Sequence, residues 1–407
     1  MVAVTLAAAS AGLSVAIISL TKVLLVLTAL VALLAGRKKS VEAGSSIAGL
    51  WTPRVVVVIL LAFAASLLWT SAPLDHALGA LGKYGKLLVI PAMLLLIRSP
   101  KEAAWALASF AGAQAFLLLS SWFLYFQMPV PWATSNMAKT SYAVFSSYLD
   151  QGIMSAVIAA IFWHLKSIAP NRTLFYAAIG LSLVALGNVF VVFWGRTGHL
   201  VGVAMISMAI FWALPKRYRL LSLLVPPLIF AVAFFSFDKV AQRFSSVQTE
   251  VSAYSVKPEA VTSSGVRLSF WKTSVEAIGQ HPLAGTGLGS WAREYNRIDR
   301  VRDPAHVDLG VGSNPHQEFL LWGVQLGVVG VLLLFAFLLA VVQDLRKTPT
   351  PVARAGISVV AGLVLSCLLN SSLYDAYIGD FFCLALSVLL AYGITAPRQA
   401  YDGAITS

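Results

Sequence analysis

The chain has 407 residues, of which 58% are hydrophobic and only 11% are charged, with a formal net charge of +12. No soluble core absorbs so many apolar runs, and runs of roughly 18 or more residues read as transmembrane helices, so the class is an all-α, polytopic membrane protein. The positive charge is no nucleic-acid signal, because the basic residues split between loops on both sides of the membrane.

Apolar runs and their breakers predict about twelve spans. They fall near residues 3–20, 23–36, 54–70, 86–97, 103–126, 152–165, 173–194, 198–214, 220–237, 316–342, 352–370 and 378–395. Only Thr21-Lys22 divides the first two. With no Lys or Arg before Lys22 and no small-residue cleavage site, the first run is expected to be a retained helix and not a signal peptide. Alternate short loops carry Arg37-Lys38-Lys39 with Arg54, Arg98 with Lys101, Lys166 with Arg172, Lys216-Arg217 with Arg219, and Arg346-Lys347 with Arg354; the tail adds Arg398. The positive-inside rule makes that side cytoplasmic, with both termini. Loops 71–85, 127–151, 195–197, 238–315 and 371–377 then face outward. The expected organisation is a bundle of about nine spans over 1–237, an outer loop over 238–315, and about three spans with a short tail over 316–407. Cys367 and Cys383 lie in apolar runs and imply neither a disulfide framework nor a metal site.

The long loop is cationic, with Lys239, Arg243, Lys257, Arg267, Lys272, Arg293, Arg297, Arg300 and Arg302. It is not a floppy linker. Val266 to Gln280 places Leu268, Trp271, Val275 and Ile278 on one helical face, with Ser263 or Ser264 as N-cap. The glycine-rich stretch from His281 to Gly289 stops that helix, and a second short helix is expected from Ser290 to about Arg300. Such helices suit the bilayer surface, where they would cap a cavity between spans.

The loop ends in Ser313-Asn314-Pro315-His316, where the next span begins. An imidazole there can take a proton at neutral pH, although a histidine that merely packs a helix start is the plainer alternative. Gly323, Gly327 and Gly330 on the same helix form a small-residue face for close packing. Arg196 lies in the tight outer turn Trp194-Gly195-Arg196-Thr197-Gly198-His199. A charge so placed is costly unless it has a partner, and a guanidinium suits bidentate phosphate binding; the alternative is an arginine snorkelling to headgroups. Arg267 opens the amphipathic helix, which could equally rest on anionic lipid. Lys83 and Lys86 flank Tyr84-Gly85 and would add positive charge at the outer mouth, or simply be solvated. Asp75, Asp150, Glu318, Asp375 and Asp380 also fall on the outer face. Glu318, two residues from His316, is expected to point elsewhere, while Tyr374 and Asp375 could touch an acceptor. The chain has no Asp-x-Asp pair, no His/Cys metal cluster, no Walker-type loop and no Gly-x-Ser-x-Gly elbow. That argues against ATP-driven transport, metal-dependent transfer from nucleotide sugars, and serine hydrolysis.

Trp69 to Pro73, Gly195-Arg196-Thr197-Gly198, Arg267 with Phe270-Trp271, His281-Pro282-Leu283 running to Gly285-x-Gly287, and Asn314-Pro315-His316 leading to Gly327-x-x-Gly330 form an ordered set. Together they resemble the O-antigen ligase and polymerase superfamily, over about residues 66 to 380. Thr70 and Gln317 depart from the pattern without touching the proposed catalytic group. The resemblance implies a bacterial inner-membrane glycosyltransferase whose large loop is periplasmic. It would move a glycan from undecaprenyl pyrophosphate to a hydroxyl, which for a ligase belongs to the lipid A-core. It also implies His316 as base, Arg196 and Arg267 at the departing pyrophosphate with help from Lys83 or Lys86, and no metal or other cofactor. An O-antigen polymerase or a protein O-oligosaccharyltransferase remains open within the superfamily. A lipid-linked sugar transporter remains open outside it, and would show charges or broken helices near the midplane.

Overall fold

The computed structural model describes residues 1–35, 47, 49–256, 263–302 and 312–395; Arg37-Lys38-Lys39, Lys257 and Arg398 lie outside the described residues. The described residues are helical, without strands. The helices are α1 Val2–Ser10, α2 Val15–Leu34, α3 Trp51–Ser66, α4 Leu74–Tyr84, α5 Val89–Leu96, α6 Pro100–Tyr125, α7 Tyr148–Leu165 and α8 Arg172–Gly187. They continue as α9 Arg196–Ala213, α10 Val225–Ser236, α11 Asp238–Val256, α12 Ser263–Gln280, α13 Trp291–Arg302, α14 Glu318–Leu345, α15 Thr350–Leu369 and α16 Ala376–Thr395. Short helical turns at residues 85–88, 138–141, 166–168, 188–192 and 216–224 stay unnumbered.

Among the described residues, ten helical segments are long and apolar enough to cross a membrane by length and composition, and α3, at 16 residues, falls just short. Local signals set many of the ends. Ser99 accepts from Glu102 N ahead of Pro100, Ser147 caps α7, and Asn171 caps α8, each supplying an acceptor to an orphan amide of the first turn. At the centre stand α7, buried from Gln151 to Phe162, and α16, buried from Tyr377 to Ala391. A helix apolar on every side can satisfy that surface only among other helices. α7 packs on α8, α9 and α15, and α16 on α5, α6 and α15. α10, with only Ala233 buried, turns its apolar surface outward.

The structure departs from the expected spans at four places. The span at 3–20 ends at Ser10, and the chain turns at Gly12 (φ +87°) before α2 begins. Thr21-Lys22 is no loop: the Thr21 hydroxyl meets that of Ser10 at 2.8 Å, and Lys22 Nζ pairs with Asp380 at 2.8 Å. Polar residues that find partners between helices do not break a span, and this pair puts charge where the sequence reading left the spans nearly charge-free. Residues 74–84, expected as loop, are helix α4.

The fourth lies in α14, where the expected small-residue face is interrupted by Gly327 (φ +64°, ψ −150°). The carbonyls and amide released by the break are taken by the glycine-rich turn 281–289. Thr286 N donates to Val324 O at 2.9 Å, Gly287 N to Gln325 O at 2.9 Å, and Val328 N to Pro282 O at 2.8 Å. A non-helical backbone inside an apolar bundle is tolerable only when its polar groups are satisfied in this way. A Cβ on Gly327 would lie 2.5 Å from Leu283 C, and one on Gly287 would lie 2.2 Å from Thr70 Cα. Ser71 N donates to Thr286 O at 2.9 Å and the Trp69 indole to Ala284 O at 3.2 Å. Three of the family-like segments, far apart in sequence, thus form one junction beneath the site.

Candidate functional site

His316 sits just ahead of α14 with φ +54°, a left-handed conformation that costs a non-glycine residue on the order of 1–3 kcal/mol. Its neighbours impose it. Asn314 Oδ1 accepts from His316 N at 2.9 Å while Asn314 Nδ2 donates to Asp375 Oδ1 at 3.2 Å. Gln317 N donates to Ser371 Oγ at 3.2 Å, and the Gln317 side chain caps α14. The imidazole lies near-parallel to the Phe270 ring, 6.3 Å between centroids, and neither ring nitrogen is hydrogen-bonded among the described residues. Burial and the Arg267 charge hold the imidazole below the ordinary histidine value, so it is neutral at pH 7. A neutral, unengaged ring nitrogen is the form a general base requires.

Arg267 donates from Nη2 to Asn370 Oδ1 at 3.2 Å, and Asn370 Nδ2 donates to Thr197 Oγ1 at 3.3 Å, linking α12, α15 and the first turn of α9. Arg196 opens α9. Its approach depends on glycine, because a Cβ on Gly198 would lie 3.1 Å from the Gly152 carbonyl carbon of α7. Arg196 donates from Nη1 to Ser264 Oγ at 3.2 Å and from Nη2 to Glu250 Oε2 at 3.3 Å. The Arg267 guanidinium is pushed below its usual value by burial and then by the charge of Arg196. Two guanidiniums that repel one another in a half-buried place favour an anion between them.

Lys83 Nζ donates to Ser313 Oγ at 3.3 Å and lies 3.9 Å from the centroid of the Tyr374 ring. Lys86 stands deeper than the expected outer mouth. It is 1% exposed, donates to Asp375 O at 2.6 Å and Tyr374 O at 3.4 Å, and so holds their loop from behind. Gly379 makes room, since a Cβ there would come within 2.7 Å of Lys86 Nζ. Tyr374 is buried, whereas Asp375 is partly open; burial raises its carboxyl, against the pull of Lys86, Lys83 and Asn314.

Glu318 does point away from His316, but it has a role that the sequence reading did not assign. Fully buried, it accepts from Trp322 Nε1 at 2.7 Å, Tyr84 Oη at 3.2 Å, Leu373 N at 2.8 Å and Tyr374 N at 3.1 Å. One carboxylate therefore fastens α4 and the loop 370–375 to the helix behind His316. Asn370, Ser264 and Glu250 were also missed. The one available signal was Asn370-Ser371-Ser372, a polar run closing an apolar span.

Residues 183–335 match the model of the family described as O-antigen ligase. A search among curated proteins finds no match. The matched segment contains Arg196, Arg267, the glycine-rich turn, His316 and the break at Gly327, while Lys83, Tyr374 and Asp375 lie outside it. Residues 183–335 are thus similar to the O-antigen ligase family, in a chain whose described residues form an all-α fold with membrane-spanning helices.

Proposed function

We propose that the protein is an O-antigen ligase, transferring O-antigen polysaccharide from undecaprenyl pyrophosphate to a sugar hydroxyl of lipid A-core at the periplasmic face of the inner membrane. The observation that carries this reading is the His316 ring, stacked on Phe270 with no hydrogen bond among the described residues, within the field of Arg267, which Asn370 ties to the first turn of the helix that Arg196 opens. The acceptor hydroxyl oxygen bonds to the anomeric carbon as the bond from that carbon to the pyrophosphate oxygen breaks. The bonding pair leaves with undecaprenyl pyrophosphate, and the hydroxyl proton passes to His316. Arg267 and Arg196 meet the charge that grows on the leaving group, a task that cations fixed in a poorly hydrated site perform well. The reaction is then a metal-independent single displacement that inverts the anomeric centre. Lys83, Tyr374 and Asp375 lie where the acceptor would approach, and Lys86 supports them. The donor arrives already activated, so neither ATP nor a nucleotide sugar is needed.

The test is transfer by the purified protein in detergent, given undecaprenyl-pyrophosphate-linked O-antigen and rough lipopolysaccharide with chelator present, for wild type and His316→Ala. Glycan on lipid A-core with wild type alone is the expected result. Longer lipid-linked glycan without modified lipopolysaccharide would identify a polymerase, and full activity in the variant would remove His316 from the mechanism.

A further inference from the structure

Glu250 is a charged side chain that the transfer mechanism leaves without a task. It sits on α11 and gathers donors from three elements. Oε2 accepts from Ser264 N at 3.1 Å, from Ser264 Oγ at 2.5 Å and from Arg196 Nη2 at 3.3 Å, while Oε1 accepts from Ser246 Oγ at 3.2 Å. Both ionic partners are 18% exposed, so the pair is largely shielded without being sealed off. Ser264 lies one helical turn before Arg267, and the Glu250 charge also acts on Arg267. Burial pushes this carboxyl up, but the bonds from Ser264 and the charge of Arg196 outweigh it, leaving it below the usual carboxylate range and ionised near neutral pH.

A carboxylate directly on one arginine, whose charge the other also feels, competes for the edge that a pyrophosphate would take. Charge-assisted bonds to a carboxylate and to a phosphate draw on the same guanidinium edge. We propose that Glu250 is a built-in competing counter-ion of the arginine pair, which weakens the hold of the site on pyrophosphate and thereby lets the spent lipid pyrophosphate leave. The inference rests on the donor-site reading of Arg196 and Arg267 given above. A site that neutralised its arginines only with substrate would bind product as tightly as the leaving group that it stabilises. A resident carboxylate lowers that affinity and keeps two like charges tolerable while the site is empty.

The experiment measures binding of inorganic pyrophosphate to the purified full-length protein in detergent, by calorimetry, for wild type, Glu250→Gln, Glu250→Asp and Arg267→Gln. Thermal unfolding of each variant establishes that it is folded. Glu250→Gln keeps an oxygen for Ser264 and removes the charge, so it should bind pyrophosphate about tenfold more tightly. Glu250→Asp keeps the charge and should stay within about threefold of wild type. In turnover, Glu250→Gln should be inhibited by pyrophosphate at a correspondingly lower concentration. Equal or weaker binding by Glu250→Gln overturns the inference, and so does tightening by Glu250→Asp to the same extent. If wild type binds pyrophosphate and Arg267→Gln loses it, the donor site stands whatever Glu250 does. If neither wild type nor Glu250→Gln binds, the donor-site reading falls and the inference with it.

Discussion

His316 and Glu318 are two residues apart, yet they occupy opposite physical conditions. Glu318 is fully buried and accepts four hydrogen bonds, from two side chains and two backbone amides. His316 is half-buried, is held with a left-handed backbone, and has no hydrogen bond on its ring among the described residues. The contrast separates support from chemistry. A buried polar group left unpaired is costly, so a carboxylate with every bond made acts as a fastener. A strained residue with a free nitrogen, kept in place by its neighbours, is poised to act on something that arrives.

The sharpest way to break this comparison is His316→Ala. It should lower glycan transfer about 10²–10⁴-fold, the usual contribution of a positioned base, while the purified variant unfolds at a temperature close to wild type. A large loss of thermal stability with the activity would make the histidine a packing residue instead. Arg267→Gln comes next, with an expected loss of about 10²–10³ in kcat/KM. It also carries a pH signature. As the proposed base, His316 would act in its neutral form, so the rate should rise with pH as the imidazole loses its proton. Burial and Arg267 place that rise below the ordinary histidine value near 6.5. Removing Arg267 takes away one of the two depressing causes and should move the acid limb upward. An unmoved limb in the variant would sever the coupling between the two residues.

Glu318→Gln tests the other half of the comparison. The amide cannot accept from all four donors, and leaving a buried donor unpaired costs about 1–3 kcal/mol. Thermal unfolding should show that loss, with the acid limb unchanged because His316 keeps its surroundings. The smallest change in stability is expected from His316→Gly, which relieves the left-handed backbone. It should match or exceed the stability of wild type by about 1 kcal/mol in thermal unfolding while remaining inactive. A drop in stability would mean that stacking on Phe270 outweighs the strain.

Pattern along the chain is most legible where elements are local. The spans expected at 103–126, 352–370 and 378–395 end within a few residues of α6, α15 and α16, and the helix expected from Val266 runs from Ser263 to Gln280. It failed where a polar residue has a distant partner. Lys22 looked like a boundary because Asp380, its partner, is 358 positions away. Gly327 looked like packing surface because Pro282, which takes the amide of Val328, lies on another element. The residues His316, Arg196 and Arg267 could be named from their settings and from the family-like motifs. Asn370, Glu250 and Glu318 could not be given their roles, because an isolated polar side chain carries no mark of which group it will bond.

By itself, then, the amino-acid order determined the class, the approximate extent of most spans and the cationic character of the long loop. The physical reason is that transfer from water to lipid depends on composition over about twenty consecutive residues. Only the tertiary structure decided that Lys86 supports the loop and does not line the mouth, that α14 breaks to receive the 281–289 turn, and that Glu250 answers the charge of Arg196. Hydrogen bonds and ion pairs act over a few ångströms in space, and the chain brings their partners together from tens to hundreds of residues apart.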